Sequence, residues 1–210
     1  MKKIVGYLFI KRLFDIVSSL LLAIILSWFL LIIMIINIFA THGAPFYGDQ
    51  RVGQNGKSLK LLKFRSMYKD AESHPEKYLS PEQLQIWKKE RKVDNDPRIT
   101  KFGRFLRKSS IDELPQLFNI IAGQMSVVGP RPLNKKELEL NYSGEDGKLL
   151  ISVKPGLISN WGVNGRNNVT YETGERQRLE LEYFKKRSLL YDLKLIFKAT
   201  VVVIFCKGAQ

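Results

Sequence analysis

Residues 16–40 form a run of 25 positions without a single charged side chain. Its clearly polar members are Ser18, Ser19, Ser27 and Asn37. As a helix rising about 1.5 Å per residue, the run is roughly 37 Å long, enough to cover a hydrocarbon core of about 30 Å. A secretory signal has a shorter apolar core followed by a small-x-small cleavage site, and this run meets neither criterion. It reads as a membrane-embedded segment, so the rest of the chain works beside a lipid surface.

Basic residues flank both ends: Lys2, Lys3, Lys11 and Arg12 before it, and Arg51, Lys57, Lys60, Lys63 and Arg65 after it. The excess of positive charge therefore does not choose which end stays in the cytoplasm. Two arrangements remain open from the residues alone, a simple span and a re-entrant helix pair that enters one leaflet and returns. The second needs a break near the middle where freed backbone groups find new partners. Ser27 is the candidate, because its hydroxyl can bond back to a carbonyl one turn earlier.

Hydrophobic residues make up 45% of the 210, which excludes disorder over most of the chain. Cys206 is the single cysteine, so an internal disulfide framework and a Cys-based zinc or iron–sulfur site are excluded. The formal net charge is +14, from 34 basic and 20 acidic residues. Only Lys2, Lys3, Lys11, Arg12 and Asp15 lie in the first 40, so 30 basic residues against 19 acidic follow, a surplus of 11. That surplus suits anionic lipid or a phosphorylated substrate. Nucleic acid is disfavoured as a partner, since no base-reading motif accompanies the charge.

Residues 41–56 read as a Gly-rich loop leading out of the membrane, and 58–67 as a strand or short helix. Residues 81–92, 101–108, 135–140 and 172–187 read as helices, and 154–168 as loop. Residues 191–206 read as a helix apolar on one side, suited to a membrane surface. Ser110 with Glu113 three residues later has the pattern of a capping box opening a helix over 110–122.

Asp112 and Glu113 are the carboxylates that stand out, close behind Arg104, Arg107 and Lys108. They have two readings. In one they serve only the helix start, Glu113 in the box and Asp112 complementing the dipole. In the other they divide a reaction, one attacking phosphorus to form an acyl phosphate and the other managing a proton or a metal. Hard carboxylate oxygens beside substrate phosphates suit Mg²⁺. Arg131 lies between Pro130 and Pro132, which stiffen the backbone around a guanidinium able to clamp phosphate oxygens.

With these residues in place the chain resembles the monotopic phosphoglycosyl transferases, the bacterial sugar transferases, in their short single-domain form. The ordered matches are Lys11-Arg12-Leu13-Phe14-Asp15, Lys63-Phe64-Arg65-Ser66-Met67, Asp96-Pro97-Arg98-Ile99-Thr100, Ser110-Ile111-Asp112-Glu113-Leu114-Pro115-Gln116, Met125 through Pro132, and Lys154-Pro155-Gly156. The resemblance implies an α+β, mostly helical fold. It divides the chain into a re-entrant membrane helix (1–40) and a catalytic domain with surface amphipathic helices (41–210), on the cytoplasmic face of the bacterial inner membrane. It also implies transfer of a sugar 1-phosphate from a UDP-sugar to polyprenyl (undecaprenyl) phosphate, which starts a surface glycan later extended by downstream glycosyltransferases. Asp112 becomes the nucleophile and Mg²⁺ ligand, and Glu113 its catalytic partner. Lys63, Arg107, Arg131 and Glu180 become substrate-binding positions. The short length leans toward an acetamidodeoxy sugar. The contrasting expectation is a non-catalytic, membrane-anchored basic module that binds anionic lipid or a protein, with Asp112 and Glu113 as caps.

Three positions depart from the family pattern. Ser27-Trp28 stands where the family's break carries Ser-Pro. Ile158-Ser159-Asn160-Trp161-Gly162 replaces Thr-Gly-Leu-Trp-Gln, keeping only Trp161. Glu180 replaces an Asp in the late helix.

Overall fold

A computed structural model describes residues 2–90, 93–165 and 169–204. Among these the protein is helix-rich with two small two-stranded sheets, as an α+β chain should be. In chain order the elements are α1 (Lys2–Ile25), α2 (Ser27–Thr41), β1 (Phe46–Val52), β2 (Ser58–Phe64), α3 (Pro81–Glu90), α4 (Lys101–Lys108), α5 (Gln116–Ile121) and β3 (Ser126–Val128). They continue with α6 (Lys135–Asn141), α7 (Gly144–Ile151), β4 (Gly156–Ile158), α8 (Asn160–Asn164), α9 (Glu175–Lys186) and α10 (Leu189–Ile204). Cys206 lies outside the described residues.

The chain forms two compact units. The first takes the chain up to Leu26, Gly48–Leu62 and the chain from Pro115 on; the second takes Ser27–Tyr47 and Lys63–Leu114. In the first, Leu59 and Leu61 of β2, Leu117 and Ile120 of α5, and Met125 form a buried cluster against which Ala23 of α1 packs. Val128, Tyr183 and Leu195 form a second cluster, joining β3 to α9 and α10. In the second unit, Ile33 of α2, Phe64 and Leu106 of α4 are the buried centre.

Within the first unit, β3 and β4 run parallel, with Ser126 opposite Gly156 and Val128 opposite Ile158. The Gly129-Pro130-Arg131-Pro132 loop continues from β3 and lies backbone on backbone against Lys154-Pro155-Gly156. A Cβ placed on Gly156 would sit 2.1 Å from the Gly129 nitrogen, so both motifs need their glycine for close approach.

No single described helix is long and apolar enough to cross a membrane. Gly6–Ile25 and Ser27–Thr41 reach that length only together, bent by 65° at a break. The break falls at Leu26, beside the expected Ser27. The expected cause does not hold: among the described residues Ser27 makes no such bond, whereas Ser18 donates back one turn to the Phe14 carbonyl (2.7 Å) and Thr41 to the Asn37 carbonyl (2.8 Å). Each helix is instead fastened by polar side chains within its own unit. On α1, Lys11 pairs with Asp192 at 2.7 Å, and Arg12 donates to the Ile120 and Ile121 carbonyls at the end of α5. Buried Asp15 accepts from the Ser126 hydroxyl (2.8 Å) and the Val127 N–H (2.9 Å). On α2, buried Asn37 donates to the Pro45 carbonyl, and the Thr41 carbonyl accepts from the Lys69 N–H.

Two stretches expected as loop are structured. Residues 46–52 form β1, since Gly53 and Gly56 mark the short turn into β2 rather than a long loop; Gly56 carries φ +76°. Residues 154–168 contain β4 and α8, where Gly156 serves the close contact above and Ser159 caps α8 by accepting from the Gly162 N–H at 3.0 Å.

Candidate active site

Lys63, Arg107, Asp112 and Glu113 all lie in the second unit. Lys63 sits at the end of β2, and the chain then runs through Ser66 to a bridge between Met67 and Ile99. Asp96-Pro97-Arg98-Ile99-Thr100 is a brace for this segment. Buried Asp96 accepts from the Arg98 side chain and N–H, and the Arg98 guanidinium lies 5.0 Å from the Trp87 ring. Thr100 caps α4, accepting from the Gly103 N–H at 2.8 Å. Gly103 brings α4 against the backbone at Ser66; a Cβ there would fall 1.9 Å from the Ser66 oxygen. That approach delivers Arg107, in the last turn of α4, to the Ser66 hydroxyl, to which its Nε donates at 2.8 Å. Ser66 carries no charge that would mark it in the sequence. Its only signal is membership in the Lys63–Met67 motif.

After α4 the chain turns sharply. Ser110 is left-handed, with φ +57°, and its side chain makes no cap hydrogen bond. Ile111–Glu113 is a single 3₁₀ turn, and α5 begins only at Gln116, beyond Pro115. The expected capping box is therefore not formed: a left-handed Ser110 aims its hydroxyl away from the N–H groups that a box would satisfy. Glu113 turns instead to Lys63, with Nζ to Oε1 at 3.6 Å. Asp112 is 9% exposed. Its burial, and then the charge of Glu113, push its carboxyl up to about 6, against the pull of Lys63 and Arg107. Burial also draws the Arg107 guanidinium below its ordinary value, with the Asp112 charge opposing. This is a buried carboxylate held next to a second one and ringed by cations. A carboxylate so placed, with no ion-pair partner of its own among the described residues, has the chemistry of a nucleophile or a metal ligand.

Arg131 and Glu180 lie together in the first unit. The Arg131 N–H donates to Glu180 Oε2 at 3.2 Å, and the Arg131 guanidinium lies 5.2 Å from the Trp161 ring. Trp161 also carries Arg176 over its face at 4.0 Å, and Arg176 pairs with Glu137 at 2.8 Å. Glu180 is 1% exposed, so it holds the loop that carries Arg131 from beneath. Burial pushes its carboxyl up to about 7, offset by bonds from Ser159 and the Arg131 N–H, and its Oε1 has no hydrogen-bond partner. Arg176 was not legible as part of this cluster. Its partners, Glu137, Trp161 and Tyr171, are 10 or more residues from one another in sequence.

No group of three or more His, Cys, Asp or Glu side chains that could hold a metal occurs among the described residues. The donor chemistry at Asp112 and Glu113 still fits Mg²⁺. That ion is typically bound by one or two carboxylates, with substrate phosphates and water completing its shell. An ionised Asp112 destabilised by burial and by Glu113 gains from a divalent cation.

Residues 6–206 match the bacterial sugar transferase family, and the chain belongs to it. It is 41% identical to the exopolysaccharide production protein ExoY of Rhizobium meliloti, over 95% of this chain and 87% of that protein. It is 44% identical to the UDP-galactose-lipid carrier transferase of Erwinia amylovora, over 96% of this chain but 42% of the relative. It is 42% identical to the undecaprenyl-phosphate galactose phosphotransferase of Salmonella typhimurium, again over 96% of this chain and 42% of the relative. The chain thus spans most of the first relative and about two fifths of the longer ones.

Proposed function

We propose that the protein transfers a sugar 1-phosphate from a UDP-sugar to polyprenyl phosphate at the cytoplasmic membrane face, releasing UMP and starting a surface polysaccharide. The observation that carries this reading is the buried Asp112 carboxylate beside Glu113, between Lys63 and Arg107, in a turn where neither acid caps a helix. A non-catalytic anchored module expects both acids to be caps.

In the first half-reaction an Asp112 oxygen attacks the phosphorus nearest the sugar. The bond to the bridging oxygen breaks, UMP leaves with the electron pair, and the phospho-sugar stays on Asp112 as an acyl phosphate. In the second, an oxygen of the polyprenyl phosphate attacks that phosphorus, and the Asp112 carboxylate leaves unchanged. Glu113, restrained by Lys63, accepts any proton remaining on the acceptor phosphate and orients it. Arg107, braced by Ser66, and Arg131, by its place in the family pattern, neutralise charge on the phosphoryl oxygens. Asp112 would hold Mg²⁺, which supplies further positive charge to the diphosphate. α1 and α2 form the re-entrant segment, and their break supports that reading.

Two of the relatives' names carry galactose, and others of 34–38% identity in Escherichia coli and Klebsiella pneumoniae carry glucose. We therefore favour a hexose 1-phosphate over an acetamidodeoxy sugar 1-phosphate. The test is UMP release by detergent-solubilised protein from UDP-galactose, UDP-glucose and UDP-N-acetylglucosamine, with polyprenyl phosphate and Mg²⁺. Release that requires the lipid and is lost at least 10³-fold (an order-of-magnitude figure for removing a nucleophile) in Asp112→Asn is expected. Release by Asp112→Asn at the wild-type rate would sink the mechanism.

A further inference from the structure

A cavity of about 390 Å³ opens within the first unit, between the start of α1, the Ser152–Lys154 segment and the end of α9. The family pattern assigns no substrate to it, and it contains neither Asp112 nor Arg131. Four cations line it, Lys11, Arg12, Lys154 and Arg187, against one carboxylate, Asp15. Their bonding is uneven. Lys11 is paired with Asp192, and Arg12 is used on the Ile120 and Ile121 carbonyls. Both Asp15 oxygens are occupied, by Ser126 and the Val127 N–H. Lys154 and Arg187, both half-buried, have no ion pair or hydrogen bond among the described residues; the Arg187 guanidinium lies against the Phe184 ring, at 5.9 Å. Burial and then the Arg12 charge pull the Lys154 ammonium below its ordinary value, and the Asp15 charge opposes them. Four cations facing one carboxylate whose oxygens are already hydrogen-bonded, two of them half-buried and without an ion pair among the described residues, form a site that is electrostatically incomplete.

The position of the cavity says what would complete it. Its wall is the turn of α1 that also exposes Leu8, Phe9 and Leu13, directly before the uncharged run begins. Apolar side chains facing outward beside a basic cavity are the arrangement of a lipid headgroup site, with acyl or prenyl chain outside and phosphate inside. We propose that Lys154 and Arg187, with Lys11 and Arg12 behind them, bind the phosphate of a membrane lipid in this cavity. That phosphate is either the diester of an anionic glycerophospholipid or the monoester of a polyprenyl phosphate. The site stands apart from Asp112 and does not rest on the transferase reading.

The test is native mass spectrometry of the full chain released from detergent, titrated with phosphatidylglycerol and, separately, phosphatidylcholine. The wild type retains phosphatidylglycerol in preference. Lys154→Gln with Arg187→Gln weakens that retention about tenfold to thirtyfold, at about fivefold per charge near a lipid surface. An exposed pair with the same loss of charge, Lys88→Gln with Lys136→Gln, changes it less than threefold. Lys154→Arg with Arg187→Lys keeps the charges and restores binding, which separates a lost site from a damaged fold, and Asp112→Asn binds as the wild type does. Farnesyl phosphate added in competition distinguishes the sources: displacement assigns the cavity to the polyprenyl monoester, and persistence of phosphatidylglycerol assigns it to the phospholipid. Equal retention by wild type and the Lys154/Arg187 variant, or an equal fall in the Lys88/Lys136 control, overturns the proposal.

Discussion

Asp112 holds its charge at a cost to the fold. Its carboxyl is pushed up to about 6, so the folded state binds the proton more tightly than the unfolded chain does. The Asp112 contribution to stability is therefore most favourable below the ordinary carboxyl range near pH 4, falls between about 4 and 6, and carries the whole penalty above that. Two pKa units correspond to roughly 3 kcal/mol. In EDTA at pH 7.5, Asp112→Asn should melt several degrees higher than the wild type, and at pH 4 the two should converge; a lower melting point at pH 7.5 contradicts the burial argument. Mg²⁺ should raise the wild-type melting point and leave that of Asp112→Asn unmoved. Glu180 carries the same sign, with its carboxyl raised to about 7 by burial. Glu180→Gln should be more stable than the wild type at pH 8 and indistinguishable at pH 5. Its nucleotide-sugar KM should change less than about threefold; a rise of tenfold or more would mean that Glu180 touches substrate directly. Asp112 and Glu113 could be singled out by type and spacing. Their exposure, and the absence of a cap, could not, because a left-handed Ser110 is set by the turn around it and not by its own preference.

Among the elements, α4 shows how a local rule yields to contact. Gly103 is the residue that helix propensity alone would replace with Ala, for a gain of about 1 kcal/mol. The Cβ would meet the Ser66 carbonyl oxygen at 1.9 Å, and overpacking of that kind costs about 1–3 kcal/mol. The clash wins, so Gly103→Ala should lower the melting point. It should also lower kcat by displacing Arg107 from Ser66, and a variant that is more stable and fully active would refute the close approach. The helices over 81–90, 101–108, 135–141 and 175–186 follow from their sequence signals, since amphipathic spacing and caps are local. β1, β4 and α8 were hidden because their glycines serve a turn and a backbone crossing, and glycine spells both in the same way as a loop.

For the molecule as a whole, the decisive feature is the break at Leu26 in a run that reads as one helix. A re-entrant segment returns both of its ends to one face. With Cys206→Ser as background, Gly6→Cys and Ala44→Cys should both react with a membrane-impermeant maleimide in inverted vesicles and both be protected in intact cells. Opposite labelling of the two positions would establish a span.

Residue type, order and spacing were enough by themselves to mark the apolar run, the basic surplus, the paired carboxylates and the family to which the chain belongs. These properties belong to single residues or to neighbours along the chain. Tertiary structure alone decided that Asp112 is buried and Ser110 does not cap, that Ser66 braces Arg107, and that Glu180 lies beneath Arg131. It also decided that Lys154 and Arg187 share a cavity whose one carboxylate, Asp15, is already hydrogen-bonded elsewhere. Each of these depends on which distant segments exclude water from a group and which of its hydrogen-bonding partners arrive with them, and neither quantity is defined until the chain has folded.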